Sequence, residues 1–251
     1  MRKSLITGLT ALAVVASPGL VAQDEEAAES YIYATYFYCD TARQEEADEL
    51  VKKNTAPIYD AAVADGTITG WGWLAHHTGG KWRRIQYHTS NTVEGLLAAQ
   101  ETIGQRVDEA GLSNDGFAQI CGAHDDYIWK SEAGNTLQVK RGPAALSVYE
   151  VCSLSGEERA REIVKTVFAP VLDKAVADGK LTSWGYSSHV LGGEYRALQT
   201  MTAKDNATLL KARAEILDAI YGDGENAAAN EYSSICSSHA DYLWEIVHEK
   251  N

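Results

Sequence analysis

Two ten-residue stretches decide the fold: ICGAHDDYIW at positions 120–129 and ICSSHADYLW at 235–244. Both spell Ile-Cys-x-x-His-x-Asp-Tyr-x-Trp, offset by 115 residues. Upstream the offset becomes 113, matching Cys39 to Cys152, Val51-Lys52 to Val164-Lys165 and Ala56-Pro57 to Ala169-Pro170. The string AVADG at 62–66 recurs at 175–179. Trp71-Gly72, His76, Gly79-Gly80, Arg83 and Gln86 match Trp184-Gly185, His189, Gly192-Gly193, Arg196 and Gln199 in the same order. Matches this dense and collinear define an internal repeat, and a repeat fixes architecture before any single motif does.

The two copies together predict one element order. An aromatic, β-rich run at 31–39, with its counterpart at 146–152, opens each copy as a strand. Thr41-x-x-Gln44 and Ser155-x-x-Glu158 read as capping boxes. Ala47, Leu50, Val51, Ile58 and Ala62 then recur at helical spacing. Pro57 and Pro170 imply a kink or a restart, with proline in a first turn. Strands at 68–77 and 81–89, and at 181–190 and 194–202, flank Gly-Gly turns. A second helix carries Leu96, Leu97, Ile103 and Val107, or Leu209, Leu210, Ile216 and Ile220. A last strand covers 121–129 or 236–244. β-α-β-β-α-β is the split, ferredoxin-like arrangement. The expected fold is therefore α+β, with tandem ferredoxin-like units at 31–130 and 146–251 and a linker at 131–145.

In that arrangement the first and last strands are antiparallel neighbours. Cys39 ends one where Cys121 opens the other, and Cys152 and Cys236 stand likewise. Bridges Cys39–Cys121 and Cys152–Cys236 follow, one of the three connectivities that four cysteines allow. A basic start (Arg2, Lys3), an apolar run from Leu5 to Ala16 and small residues up to Ala22 predict a secretory signal at 1–22. Residues 23–30 (QDEEAAES) read as an acidic disordered leader. The apolar run is short for a bilayer span, so a periplasmic or secreted chain without membrane attachment after cleavage is expected. Export favours disulfides over thiolate metal sites. Beyond residue 22 the chain has 20 basic and 35 acidic residues, a net charge near −15. Such a surface repels phosphate backbones, which excludes nucleic acid as a natural partner.

The element order, the interrupted first helix, the Trp71-Gly72 and Trp184-Gly185 strands and the closing Asp-Tyr-x-Trp strands resemble the dimeric α/β-barrel superfamily, of the antibiotic-biosynthesis-monooxygenase and stress-responsive types. The resemblance covers both copies and implies that they pair as a pseudo-dimeric barrel within one chain, itself a monomer or a homodimer. It implies activities ranging from cofactor-independent oxygenases and haem-handling enzymes to proteins without known activity. No catalytic motif carries over residue by residue, so fold alone leaves open the choice between a binding protein and an enzyme.

Several residues are chemically capable. His124-x-Asp126 and His239-x-Asp241 place an imidazole and a carboxylate on one strand face, suited to acid–base work, to metal binding, or simply to a hydrogen-bond network at the strand start. His76 and His189 end the second strand of each copy. With the copies facing each other, His76 would approach His239 and His189 would approach His124. The copies also differ: Trp73, His77, Trp82, Arg84 and His88 stand where the second copy has Tyr186, Val190, Tyr195, Ala197 and Met201. Strand alternation puts Trp82, Arg84, Gln86 and His88 on one face, a candidate site for a planar or anionic small molecule in the N-terminal copy. The bland alternative is an exposed polar face. No cofactor and no resident metal is predicted.

Overall fold

The computed structural model describes residues 29–222 and 224–251, so the expected signal at 1–22 and most of the acidic leader lie outside the described residues. The first half runs β1 (Tyr31–Tyr38), α1 (Gln44–Leu50), a π-helical turn (Val51–Thr55), α2 (Ala56–Ala64), β2 (Gly70–Gly79), β3 (Arg84–Ser90), α3 (Val93–Glu109), α4 (Phe117–Ile120) and β4 (Ala123–Gly134). The second half runs β5 (Ala144–Cys152), a 3-10 turn (Leu154–Gly156), α5 (Glu157–Ile163), a π-helical turn (Val164–Phe168), α6 (Ala169–Ala177), β6 (Ser183–Leu191), β7 (Ala197–Ala203), α7 (Asn206–Tyr221), α8 (Ala227–Ile235) and β8 (Cys236–Lys250).

The prolines explain the two π-helical turns. Pro57 and Pro170 have no amide hydrogen to continue the helical ladder, so the preceding turn widens and the helix restarts with proline in its first turn. The expected capping boxes do not form. Thr41 offers only its carbonyl oxygen, to Gln44 Nε2 at 3.1 Å, and Ser155 lies inside the 3-10 turn. Real N-caps occur at Thr92, Asp205 and Asn226, whose side chains accept from the amides of Gly95, Thr208 and Ala229.

The eight strands close into one antiparallel barrel in the order β1-β3-β2-β8-β5-β7-β6-β4. Within each half the first strand lies between the third and the last, as β1 does between β3 and β4. The two seams join the halves: β2 to β8, and β4 to β6. They use residues beyond the expected strands. β4 runs on to Gly134, into the segment expected as linker, and β8 runs on to Lys250. Those polar tails carry little alternation of their own and are ordered by their partner strands. Gly79 serves the first seam with φ +106°, where a Cβ would collide with the Asp241 carbonyl oxygen.

Alternation sorts the aromatics onto two faces. Tyr36, Tyr127, Trp129, Tyr149, Tyr242 and Trp244 cluster inside the barrel. Tyr127 stacks on Trp129 at 5.0 Å and Tyr242 on Trp244 at 5.1 Å. Trp71, Trp73 and Trp184 point out beneath the helices, their indole N–H groups donating to Asp60 (2.8 Å), Asp48 (2.7 Å) and Asp173 (2.7 Å) on those helices. Both expected disulfides, Cys39–Cys121 and Cys152–Cys236, are formed. They fit an oxidising compartment. No helix among the described residues is long and apolar enough to cross a membrane.

Candidate functional site

Helices packed on a curved barrel leave gaps where the sheet bends away from them. Two such cavities, each of about 240 Å³, occupy corresponding places in the two halves. The C-terminal one lies between β5, β7, α7 and α8 and is walled by Phe168, Leu172, Met201 and Ile216. Glu150, from β5, lines it and is only 6% exposed. Its carboxylate accepts from Gln199 Nε2 at 3.1 Å and, through a short contact, from the Tyr232 hydroxyl. Burial pushes the Glu150 carboxyl up to about 7, although both hydrogen bonds pull the other way. The same burial holds the phenols of Tyr232 and Tyr186 above the ordinary range, with the Glu150 charge adding to it. At the mouth, Arg213 donates to Asp241 at 2.6 Å, and Asp241 also bonds His239 Nδ1 at 2.8 Å.

A carboxyl that ionises near neutrality inside a mostly apolar cavity can take up or release a proton at the pH where the protein works. It also sets a stability signature. The folded value is raised above the unfolded one, so the contribution is whole below about 4.5 and is lost as pH climbs through about 7. Across that window Glu150 is expected to remove about 3 kcal/mol of stability. Urea titrations at pH 5 and pH 8 on the wild type and Glu150→Gln measure it. A decline that is equally steep in the variant would assign the effect elsewhere.

The residues singled out by sequence fall in several places. Trp82 does not share a face with Arg84, Gln86 and His88. It precedes β3, outside the alternating strand, and stacks inside the barrel on Tyr36 (4.3 Å) and Tyr242 (5.2 Å). Arg84 is 4% exposed and is no ligand-facing guanidinium. Its Nε and Nη2 both donate to the Asp48 carboxylate at 2.6 Å. Arg84→Ala leaves the Asp48 charge with the Trp73 indole but no counter-charge and is expected to cost about 3 kcal/mol of unfolding free energy, read by urea denaturation. A loss under about 0.5 kcal/mol would make this pair a surface-type bridge. His88 is fully buried against Tyr33, pushed down to about 4 by desolvation, with Nε2 3.5 Å from the Leu96 carbonyl. His77 is exposed.

The expected histidine clusters across the two halves do not assemble. His76 lies edge-on to Tyr242 and Trp244, and His189 to Tyr127 and Trp129, all rings of the interior. His124 and His239 sit on the outer face, bonded to Asp126 (3.1 Å) and Asp241 (2.8 Å). Opposite sides of a strand wall cannot share one ligand. Among the described residues, the ligand-type trio that does converge is Glu150 with Cys152 and Cys236, whose sulfurs are spent on the disulfide. Sequence reasoning missed Glu150 and Tyr232. The signal was present: at the repeat offsets they correspond to Phe37 and Phe117.

An eight-stranded antiparallel barrel, closed within one chain and wrapped by helices, is the dimeric α/β-barrel fold. Solved structures bear this out. An anthrone oxidase-like protein superposes with TM-score 0.57 at 14% identity, covering 90% of this chain and 94% of that one. A protein from Lactobacillus acidophilus assigned as a monooxygenase gives 0.57 at 8%, covering 88% and 96%. A mutant chlorite dismutase from Candidatus Nitrospira defluvii, in complex with cyanide, gives 0.53 at 8%, covering 87% and 91%. No family profile and no curated protein sequence matches the chain.

Haem is a group that the superfamily resemblance raises. The inward groups of the C-terminal cavity are a carboxylic acid, a phenol and an amide, which offer an iron no nitrogen or sulfur ligand. His239, at its rim, is 55% exposed and turned to Asp241. The Tyr232 phenol, kept protonated by burial and bonded to Glu150, supplies no phenolate either, so this donor set does not fit a haem.

Proposed function

We propose that this chain is an exported small-molecule protein, built as two fused ferredoxin-like units, with a proton-transfer site at Glu150. The signal-like segment at 1–22 and the two disulfides support export. The repeat offsets and the matched element order support the fused units. One observation carries the function: Glu150, 6% exposed and bonded to Gln199 and Tyr232, lines a cavity of about 240 Å³, where burial pushes its carboxyl up to about 7.

The substrate class this favours is a small, flat, weakly acidic aromatic, such as a phenol or a C–H activated by a ring carbonyl. The apolar walls hold its ring, and Arg213, which lines the cavity while paired with Asp241, offsets part of the charge of the anion that forms. Ionised Glu150 takes the proton. In a cofactor-independent oxygenation, that proton removal readies the carbanion for dioxygen. The anthrone oxidase-like neighbour makes anthrone the probe of choice. Anthrone plus dioxygen gives anthraquinone plus water. Turnover by the full chain, rising through pH 7 and slowed about 10²–10⁴-fold in Glu150→Gln, supports the enzyme. A non-catalytic carrier, which the apolar lining alone would favour, binds anthrone without turnover.

A further inference from the structure

The N-terminal cavity is a chemical contrast to its counterpart. Where the C-terminal site has Glu150 and Tyr232, this one has Phe37 and Phe117, packed edge to face at 5.2 Å. Trp73 adds a third ring and lies 5.8 Å from Phe37. Tyr59 forms a further wall, its hydroxyl donating to Gln86 Oε1 at 3.1 Å. With the amide oxygen so engaged, Gln86 Nε2 is left buried without a hydrogen-bond partner, although Gln86 lines the cavity. Its counterpart Gln199 spends the same nitrogen on Glu150 and on the Tyr232 hydroxyl. A buried donor left unmade costs about 1–3 kcal/mol, and a bound acceptor recovers it.

We infer that this cavity is a second ligand site, selective for a neutral aromatic carbonyl compound. Three rings and Tyr59 take the flat apolar body, and Gln86 Nε2 donates to the carbonyl oxygen. Anions are disfavoured because Asp115 lines the cavity and the chain is strongly acidic. Neither Glu150 nor any other residue of the C-terminal cavity takes part, so the site stands independently of the proton-transfer reading.

The test is calorimetric titration of the full chain with 2-acetylnaphthalene and with 2-isopropenylnaphthalene, which has the same outline but no oxygen. The ketone is expected to bind about tenfold more tightly than the hydrocarbon. Gln86→Leu, its fold checked by near-ultraviolet circular dichroism, abolishes that preference and leaves hydrocarbon binding in place. Glu150→Gln leaves the preference for the ketone in place. The inference is overturned if the two probes bind alike to the wild type, or if neither binds. It is overturned equally if Glu150→Gln, rather than Gln86→Leu, removes the preference, because the ketone would then occupy the C-terminal cavity.

Discussion

Glu150→Gln will slow proton removal from a bound phenol or carbon acid by about 10²–10⁴-fold, the span that a well-placed general base supplies. Glutamine keeps the shape of the side chain and an oxygen to accept from Gln199 and Tyr232, but it cannot take the proton. Circular dichroism and ligand affinity should therefore survive while the rate collapses. A second variant separates chemistry from architecture. The Tyr232 hydroxyl donates to the carboxylate and pulls its ionisation down against burial. Tyr232→Phe thus raises the midpoint of the pH–rate profile above about 7, with the limiting rate at high pH largely retained. Stopped-flow measurement of anthrone consumption, or of deuterium wash-in at its acidic carbon, reads both effects. An unchanged rate in Glu150→Gln would remove this carboxyl from the chemistry.

Removing the Cys152–Cys236 bridge by a double alanine substitution is expected to lower stability by about 4–5 kcal/mol. The bridge spans 84 residues, and closing a loop of that length restricts the unfolded chain by this amount in the chain-entropy account. The bridge also ties the end of β5 to the start of β8, two residues beyond Glu150 and directly against the cavity that Cys236 lines. Ligand affinity should fall with stability. The Cys39–Cys121 bridge spans 82 residues and should cost as much when removed, without touching the proton-transfer site. Urea denaturation of each variant under oxidising conditions decides it. A loss below about 1 kcal/mol for the second bridge would mean that the reduced, unfolded chain is already confined.

How much of this could be read beforehand differs between fold and site. Apart from α4 and α8, which the expected order lacked, the order of elements, both disulfides and the pairing of first with last strands followed from self-comparison, because two noisy signals at fixed offset reinforce each other. The seams did not follow. Residues 131–134 and 245–250 have no strong pattern, and their pairing with β6 and β2 is a long-range event that local propensity does not encode. The site was missed for a related reason. Searching for what the copies share selects scaffold such as Trp71, Trp184 and the His-x-Asp pairs, whereas Glu150 and Tyr232 lie where the copies disagree. The differences on β3 point away from the site, because Arg84 is a strut against Asp48 and Trp82 turns inward. Extending that comparison to β1 and the helix before the final cysteine would have put Phe37 beside Glu150.

Closing the ring inside one polypeptide has a consequence for how such a protein can change. A ring made by two identical subunits receives every mutation in duplicate, so a residue good for one site and bad for the other is never tested alone. With both seams joining strands of a single chain, each cavity answers to its own codons. One can gain an acid while its twin stays oily, and the frame they share keeps both.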